Sequence, residues 1–271
     1  MPLISLPRTL HEKPWGRTDV PKCFCQDSSR IGEVWYQHAH VSLPLLTKWL
    51  FTSDRLSIQV HPNDHQAQAA GLKRGKEEWW LVVDAEPGAC LGIGTICELS
   101  ADDLHRSVQD GSLGQLIDWR PVRAGDWFHI APGTVHAIGG GITLVEIQQD
   151  ADVTYRLFDY GRPRELHLER GIGVSKARPF DDPRHGSLRF GEIGASSLLS
   201  ACEHFEVFWG GGLQPRPDRR GPVWVIPVSG TMLTEVDDVS LGAVAFGEFS
   251  GSETFSADFG GLFACAVTRA F

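Results

Sequence analysis

The 271-residue sequence predicts an all-β protein, and three observations lead there. Thirty glycines and sixteen prolines break the chain at short intervals. Between them lie short runs rich in β-branched and aromatic residues, bounded by turn formers. Helical signals are few and brief. Short strands joined by tight turns point to a sandwich or a jelly-roll barrel built of hairpins.

The strands are expected at 31–38 (IGEVWYQH), 55–61 (RLSIQVH), 78–84 (EWWLVVD), 89–94, 127–131, 142–148 (ITLVEIQ) and 153–158. In the second of these, Leu56, Ile58 and Val60 alternate with Ser57, Gln59 and His61 until Pro62 stops the run, as in a strand with one buried face. Gly125-Asp126 and Pro132-Gly133 are turn signals on either side of 127–131. Two short helices are expected. One spans Asp64 to Leu72, after Pro62 and Asn63, and the other lies in 100–111, which opens on a Ser100/Asp103 capping pattern and ends at a glycine.

Composition shifts after RELHLERGIGV, where residues 176–200 are rich in Pro, Asp, Arg, Gly and Ser. Further strands are expected at 204–210 (HFEVFWG), 222–230 and 261–271. This suggests a first domain over 1–175, a connector over 176–199 and a smaller β domain over 200–271. The last region contains a single histidine, His204, and reads as structural or capping.

A net charge of −9 argues against a nucleic-acid surface, so an anionic ligand needs a local positive pocket. No apolar run reaches the roughly 20 residues that span a bilayer. The start, with two prolines and no basic segment before a long apolar stretch, does not read as a signal peptide. Six scattered cysteines, with only Cys23-x-Cys25 close together, fit reduced thiols of a cytoplasmic protein better than a cysteine metal site.

The chemistry starts from the polar face of 55–61. Ser57, Gln59 and His61 project together, because residues two apart on a strand share a face. If Glu78 shares a face with Trp80 and Val82, a carboxylate joins them from the next strand. A turn–strand–turn unit over 124–136 then points His136 back toward the barrel. An amide, two imidazoles and a carboxylate form an N/O donor set suited to a borderline divalent ion such as zinc.

These segments carry a resemblance. KPWG (13–16), IGEVW (31–35), LPLLTKWLF (43–51), LSIQVHPND (56–64), GKEEWW (75–80), GTVHAIGGG (133–141), LVEIQQDADVTYRLFDYGR (144–162) and RELHLE (164–169) resemble, in that order, the type I mannose-6-phosphate isomerase (phosphomannose isomerase) family of zinc-dependent cupins. The likeness covers most of residues 10–170 and is vague in the last 70. It implies a cupin jelly-roll barrel with a smaller, cupin-like β domain after it. It also implies one Zn2+ per chain on Gln59, His61, Glu78 and His136, and the choice of Glu78 over Glu77 leans on it.

By the same resemblance Arg156 and Glu146 are catalytic, and Lys48, Ser57 and Lys76 line a sugar-phosphate pocket. The implied reaction interconverts mannose 6-phosphate and fructose 6-phosphate by moving a proton between C1 and C2. Glu146 or a water on the metal serves as base. The chain departs from the family in Lys76-Glu77-Glu78, which has an extra acid, and in Pro132, which sits one place late in its turn. His65, His105, His129 and His167 match no functional position. Two other readings compete: a cupin enzyme of another class, such as an iron oxygenase, and a non-catalytic sugar-binding protein. Gln59 as a fourth ligand speaks against the oxygenase's two-His-one-carboxylate triad, and the presence of Arg156, Glu146 and the lysines speaks against a mere binder. The expected partner is a small sugar phosphate, with no nucleic acid or membrane, and the protein a monomer or homodimer.

Overall fold

The computed structural model describes residues 1–38, 40–191 and 194–267. Its strands form four sheets, and every strand pair within them is antiparallel. The central sheet has seven strands, in the order His185–Ser187, Asp126–Ile130, Glu78–Ala85, Ile142–Gln149, Leu45–Thr52, Ile31–Tyr36 and Arg8–Arg17. One of its faces carries Leu50, Trp80, Val82 and Leu144, which pack with Leu91, Ile93 and Ile138 of a five-stranded sheet. That second sheet runs Tyr155–Phe158, Ile58–Val60, His136–Ile138, Cys90–Thr95 and Ile117–Pro121.

The opposite face of the central sheet carries Trp49, Trp79, Leu81, Val145 and Ile147. These pack with Phe205, Trp224, Ile226 and Leu262 of a six-stranded sheet. A three-stranded sheet, with Met232, Val239 and Phe255, closes the far side of that layer. At the other end of the stack, Leu104 and Val108 of the helix Ala101–Gln109 cover Ile58, Val60 and Leu157.

A sheet covered on both faces has no solvent side, so its strands read as continuous apolar runs without alternation. All eight residues of Leu45–Thr52 are buried. The fold is therefore mostly β, as expected, with the central and five-stranded sheets facing each other as the two walls of a jelly roll. The walls do not join into one hydrogen-bonded ring: the described strands form separate sheets.

Both expected helices are present. Asp64–Ala69 opens with a reciprocal Asn63/Gln66 capping box, and Ala101–Gln109 has Ser100 accepting from the Asp103 amide. Two more, Leu113–Leu116 and Leu168–Val174, had no clear signal. The expected 261–271 strand runs over Gly260–Ala266, and its residues 268–271 lie outside the described residues. The strand at 55–61 is shorter than its alternation suggests, spanning Ile58–Val60. Leu56 consequently leaves the face of Ile58 and Val60 and packs between the two walls.

The six-stranded sheet takes its edge strand, Ile4–Ser5, from the start of the chain. Ile4 is registered with Phe246 and Ser5 with Ala245. The segment 176–199 is not a free linker throughout, because His185–Ser187 pairs with Asp126–Ile130.

Candidate metal centre and substrate pocket

Strand register assembles the site. His136 stands directly opposite Gln59 on one side, and Arg156 stands opposite Gln59 on the other. Opposed residues of antiparallel strands share a face, and this face looks toward the central sheet. From that sheet comes Glu78, in register with Gln148 and Ile130. The Pro132-Gly133 turn holds the His136 segment against the other imidazole. Gly133, at φ +89° where glycine is favoured, donates its amide to the His61 carbonyl at 2.9 Å.

His61, Glu78 and His136 are buried and bring one donor atom each to within 4.8 Å of one another. His61 Nδ1 lies 2.8 Å from the Val153 carbonyl and His136 Nδ1 lies 2.8 Å from the Thr134 carbonyl. A carbonyl only accepts, so each Nδ1 carries its proton and each Nε2 keeps a lone pair directed inward. Burial is the main cause that pushes His61 down to about 4, with Lys76 adding to it. Burial also lowers His136, against the opposing pull of Glu78.

Burial alone would raise the Glu78 carboxyl, but Lys76 and His61 outweigh it and hold the group well below the usual carboxylate range. Glu78 Oε1 is 2.7 Å from Lys76 Nζ and 3.2 Å from His61 Nε2, and Oε2 is 3.8 Å from His136 Nε2. Yet neither oxygen accepts an aligned hydrogen bond. A buried carboxylate facing two imidazole nitrogens, with one ammonium beside it, suits a divalent cation. Gln59 Nε2 is 3.3 Å from His136 Nε2. The two ends of an amide are alike in shape, and turning it over directs Oε1 at the same point.

A cavity of about 330 Å3 opens beside these ligands, lined by Ser57, Gln59, Lys76, Lys48, Glu146 and Arg156 among others. Lys48 Nζ is 3.0 Å from Glu146 Oε1, and Trp80 Nε1 donates to Glu146 Oε2 at 3.1 Å. The Arg156 guanidinium is half-buried and donates to the Glu165 carbonyl at 2.7 Å, while its Nε has no partner. All nine expected site residues thus lie in the cavity or in the ligand cluster beneath it.

Sequence reasoning missed four charged groups that also line the cavity: Lys13, Glu33, Asp152 and Arg164. Arg164 is held by a two-pronged contact with Asp159 at 2.6 and 2.7 Å. The Arg-Pro-Arg run that begins three residues after Asp159 was its available signal. Burial would raise Glu33, but Lys48 and Lys13 outweigh it and keep it lowered. Lys13 meets it at 3.4 Å.

The fold and this donor set define a metal-binding cupin. Residues 22–80 match the family described as phosphomannose isomerase type I, catalytic domain. A mannose-6-phosphate isomerase of Streptococcus mutans is 34% identical over 212 residues, covering 63% of this chain and 67% of the relative. The mannose-6-phosphate isomerase ManA of Bacillus subtilis is 38% identical over 193 residues, covering 65% of this chain and 60% of the relative. The chain thus spans about three-fifths to two-thirds of the length of these relatives. It belongs to the type I mannose-6-phosphate isomerase family.

Solved structures agree in fold. That of the mannose 6-phosphate isomerase from Bacillus subtilis matches with a TM-score of 0.80 at 22% identity, over 98% of this chain and 100% of that one. A zinc-bound mannose 6-phosphate isomerase matches with a TM-score of 0.71 at 14% identity, over the whole of both chains.

Proposed function

We propose that this chain is a zinc-dependent aldose–ketose isomerase that interconverts mannose 6-phosphate and fructose 6-phosphate. One zinc per chain is held by Gln59, His61, Glu78 and His136. The observation that carries the reading is the pair of buried imidazoles, each with Nδ1 against a backbone carbonyl and Nε2 turned toward the buried Glu78 carboxylate. Bound there, zinc supplies Lewis acidity, which stabilises oxyanion charge by several kcal/mol.

The remaining work falls to the chain's own groups. Lys48, Lys76, Arg156 and Arg164 make one pocket cationic in a chain of net charge −9. That pocket selects an anionic sugar phosphate. Arg156 meets phosphate or enediolate charge with paired donors. Glu146, held by Lys48 and Trp80, is the carboxylate placed to hold the proton that moves between C1 and C2. Ser57 faces the substrate beside Gln59.

The same reading gives a metal-bearing domain over 1–175 and a smaller β domain over 200–271, as a monomer or homodimer. It also places the protein in the cytoplasm, where its six unpaired cysteines stay reduced. Among the described residues no helix is long and apolar enough to cross a membrane.

Metal analysis of the purified chain, paired with an assay on both sugar phosphates, tests the proposal. Wild type should carry zinc and turn over. His61→Ala/His136→Ala should lose both together, and zinc retained at that site in the double variant would overturn the assignment.

A further inference from the structure

Glu77 immediately precedes the strand Glu78–Ala85, whose two faces look into different layers, and the side that Glu78 does not use has its own donor cluster. Glu77 Oε1 lies 2.6 Å from His129 Nε2, and Glu77 Oε2 lies 3.6 Å from His204 Nε2. Cys202 Sγ joins them: Glu77, His129 and Cys202 bring donor atoms to within 4.8 Å of one another. Glu77 and His129 are buried, and the His204 side chain is 20% exposed.

We propose that this chain holds a second metal ion, a borderline divalent cation such as zinc, on Glu77, His129, Cys202 and His204. The site lies between the central sheet and the six-stranded sheet. Each side contributes two ligands. His129 stands beside Trp79 in register, next to the strand that Glu77 leads into. Cys202 and His204 sit in the turn between Gly194–Ala201 and Phe205–Gly211.

The donor chemistry favours such an ion. Glu77, His129 and Cys202 stand together, and His204, which lies outside their 4.8 Å set but 3.6 Å from Glu77, completes by a small inward turn the four-ligand set that structural zinc takes. His129 Nδ1 is 3.1 Å from Ser200 Oγ, which orients the ring with Nε2 toward Glu77. The Cys202 sulfur accepts backbone amides from His204 and Phe205, each at 3.4 Å. Donors at about 2.0–2.1 Å from a tetrahedral ion lie about 3.3–3.4 Å apart, so the His129–Glu77 contact opens by about 0.7 Å. On binding, Cys202 gives its thiol proton to solvent, and the proton shared by His129 Nε2 and Glu77 Oε1 is displaced as well. Other charges face the cluster, Asp182 toward His129 and Asp64 toward His204 among them. Arg184 NH1 is 3.8 Å from Glu77 Oε1, but its other nitrogens are engaged by Asp182 at 2.9 and 2.6 Å. Glu203 Oε1 is 3.5 Å from His204 Nε2 and adds negative charge at the rim.

Such an ion would staple the C-terminal sheet to the back of the strand that presents Glu78. Titration of the chelator-stripped full chain with Co2+ tests this, because the isomerase site has only nitrogen and oxygen donors. Wild type should take two equivalents, one of them with a thiolate-to-cobalt charge-transfer band in the near ultraviolet. His61→Ala/His136→Ala should lose one equivalent and keep the band, so this inference stands or falls apart from the isomerase reading. Cys202→Ser should lose the band. Should that variant not fold, His129→Gln should shift or abolish it. One equivalent and no band in wild type, or an unchanged band in Cys202→Ser, would overturn the proposal.

Discussion

Lys76 and Glu78 stand two residues apart, with the ammonium nitrogen 2.7 Å from a carboxylate oxygen and both groups almost wholly buried. Burial would lower the lysine, but Glu78 and Glu146 outweigh it and raise it, so the ammonium is the internal counter-charge of the ligand cluster. Lys76→Met should therefore destabilise the metal-free chain by about 3–5 kcal/mol, the effect of stranding a buried charge. Zinc should restore much of that stability, and it should bind more tightly once the competing cation is gone. Activity should fall at least tenfold, because the pocket loses one of the cations proposed to hold the substrate. Melting curves with and without zinc, beside kcat/KM, check all three, and a metal-free variant as stable as wild type would refute the pairing.

Arg156 should matter to turnover and little to folding. Among the described residues it forms no ion pair, and its Nε is unpartnered, so removing it strands no charge. Arg156→Ala should keep its zinc and its melting temperature while kcat falls about 100-fold or more, as for other lost preorganised donors. Arg156→Lys should recover little, since an ammonium cannot reproduce the planar fork. Near-wild-type kcat would remove the residue from the mechanism, and a collapsed melting temperature would make it structural.

Gly75 marks where the His61 and Glu78 segments are stitched together. A Cβ there would lie 2.4 Å from the Asn63 carbonyl carbon and 2.5 Å from the Pro62 oxygen. The close approach lets Gly75 donate to Asp64 Oδ1 at 2.7 Å and Lys76 donate to the Pro62 carbonyl at 3.0 Å. Gly75→Ala should lower stability by about 1–3 kcal/mol through overpacking. Pushing the two ligand segments apart should also weaken zinc binding by about tenfold, or 1.4 kcal/mol. Chelator competition measures the second effect, and unchanged affinity would show that the loop does not set the ligand spacing.

Alkaline sensitivity should trace in part to Cys265. Burial, then the Glu206 carboxylate opposite it, push this thiol up to about 11, against Arg219. Between the ordinary thiol value of 9.0 and about 11 the unfolded chain sheds the proton while the folded chain keeps it. Stability is then full below that window and lost as pH rises through it, by at most one proton, or about 1.4 kcal/mol per pH unit. Cys265→Ala should show a shallower decline than wild type in denaturant melts across this range. Parallel curves would exclude the thiol.

Much of the proposed ligand set was legible because it sits on short-range patterns. The Ser-Gln-His alternation, the Pro-Gly turn and the Glu-Trp-Trp run each declare a face within a few residues. The strand Arg8–Arg17 gave no such signal. It is the edge of the central sheet, where Pro14 loses no ladder bond that the sheet requires and polar residues meet water. Arg164 escaped notice because its role depends on Asp159 turning it into the cavity. The Glu77 cluster was hidden for a different reason. Its donors are as much as 127 residues apart, from Glu77 to His204, and only the stacking of two sheets brings them together. Glu77 read as a surplus acid, and His129 and His204 as isolated histidines.

The pairing of Ile4–Ser5 with Ala245–Gly247 imposes an order of events on the newborn chain. The Ile4–Ser5 strand waits for a partner about 240 residues downstream, about 12–50 s at translation rates of about 5–20 residues per second. Until then the jelly-roll wall that carries Glu78 exposes the tryptophans of its second face, Trp49 and Trp79, to whatever is nearby. The pocket and the ligand cluster can form in that interval, whereas the outer sheet needs the strands between residues 194 and 266. Slow codons or chaperone contacts over residues 200–267 should therefore govern yield more than those over the ligand segments. A second copy arriving first could donate its own late strands to the waiting edge.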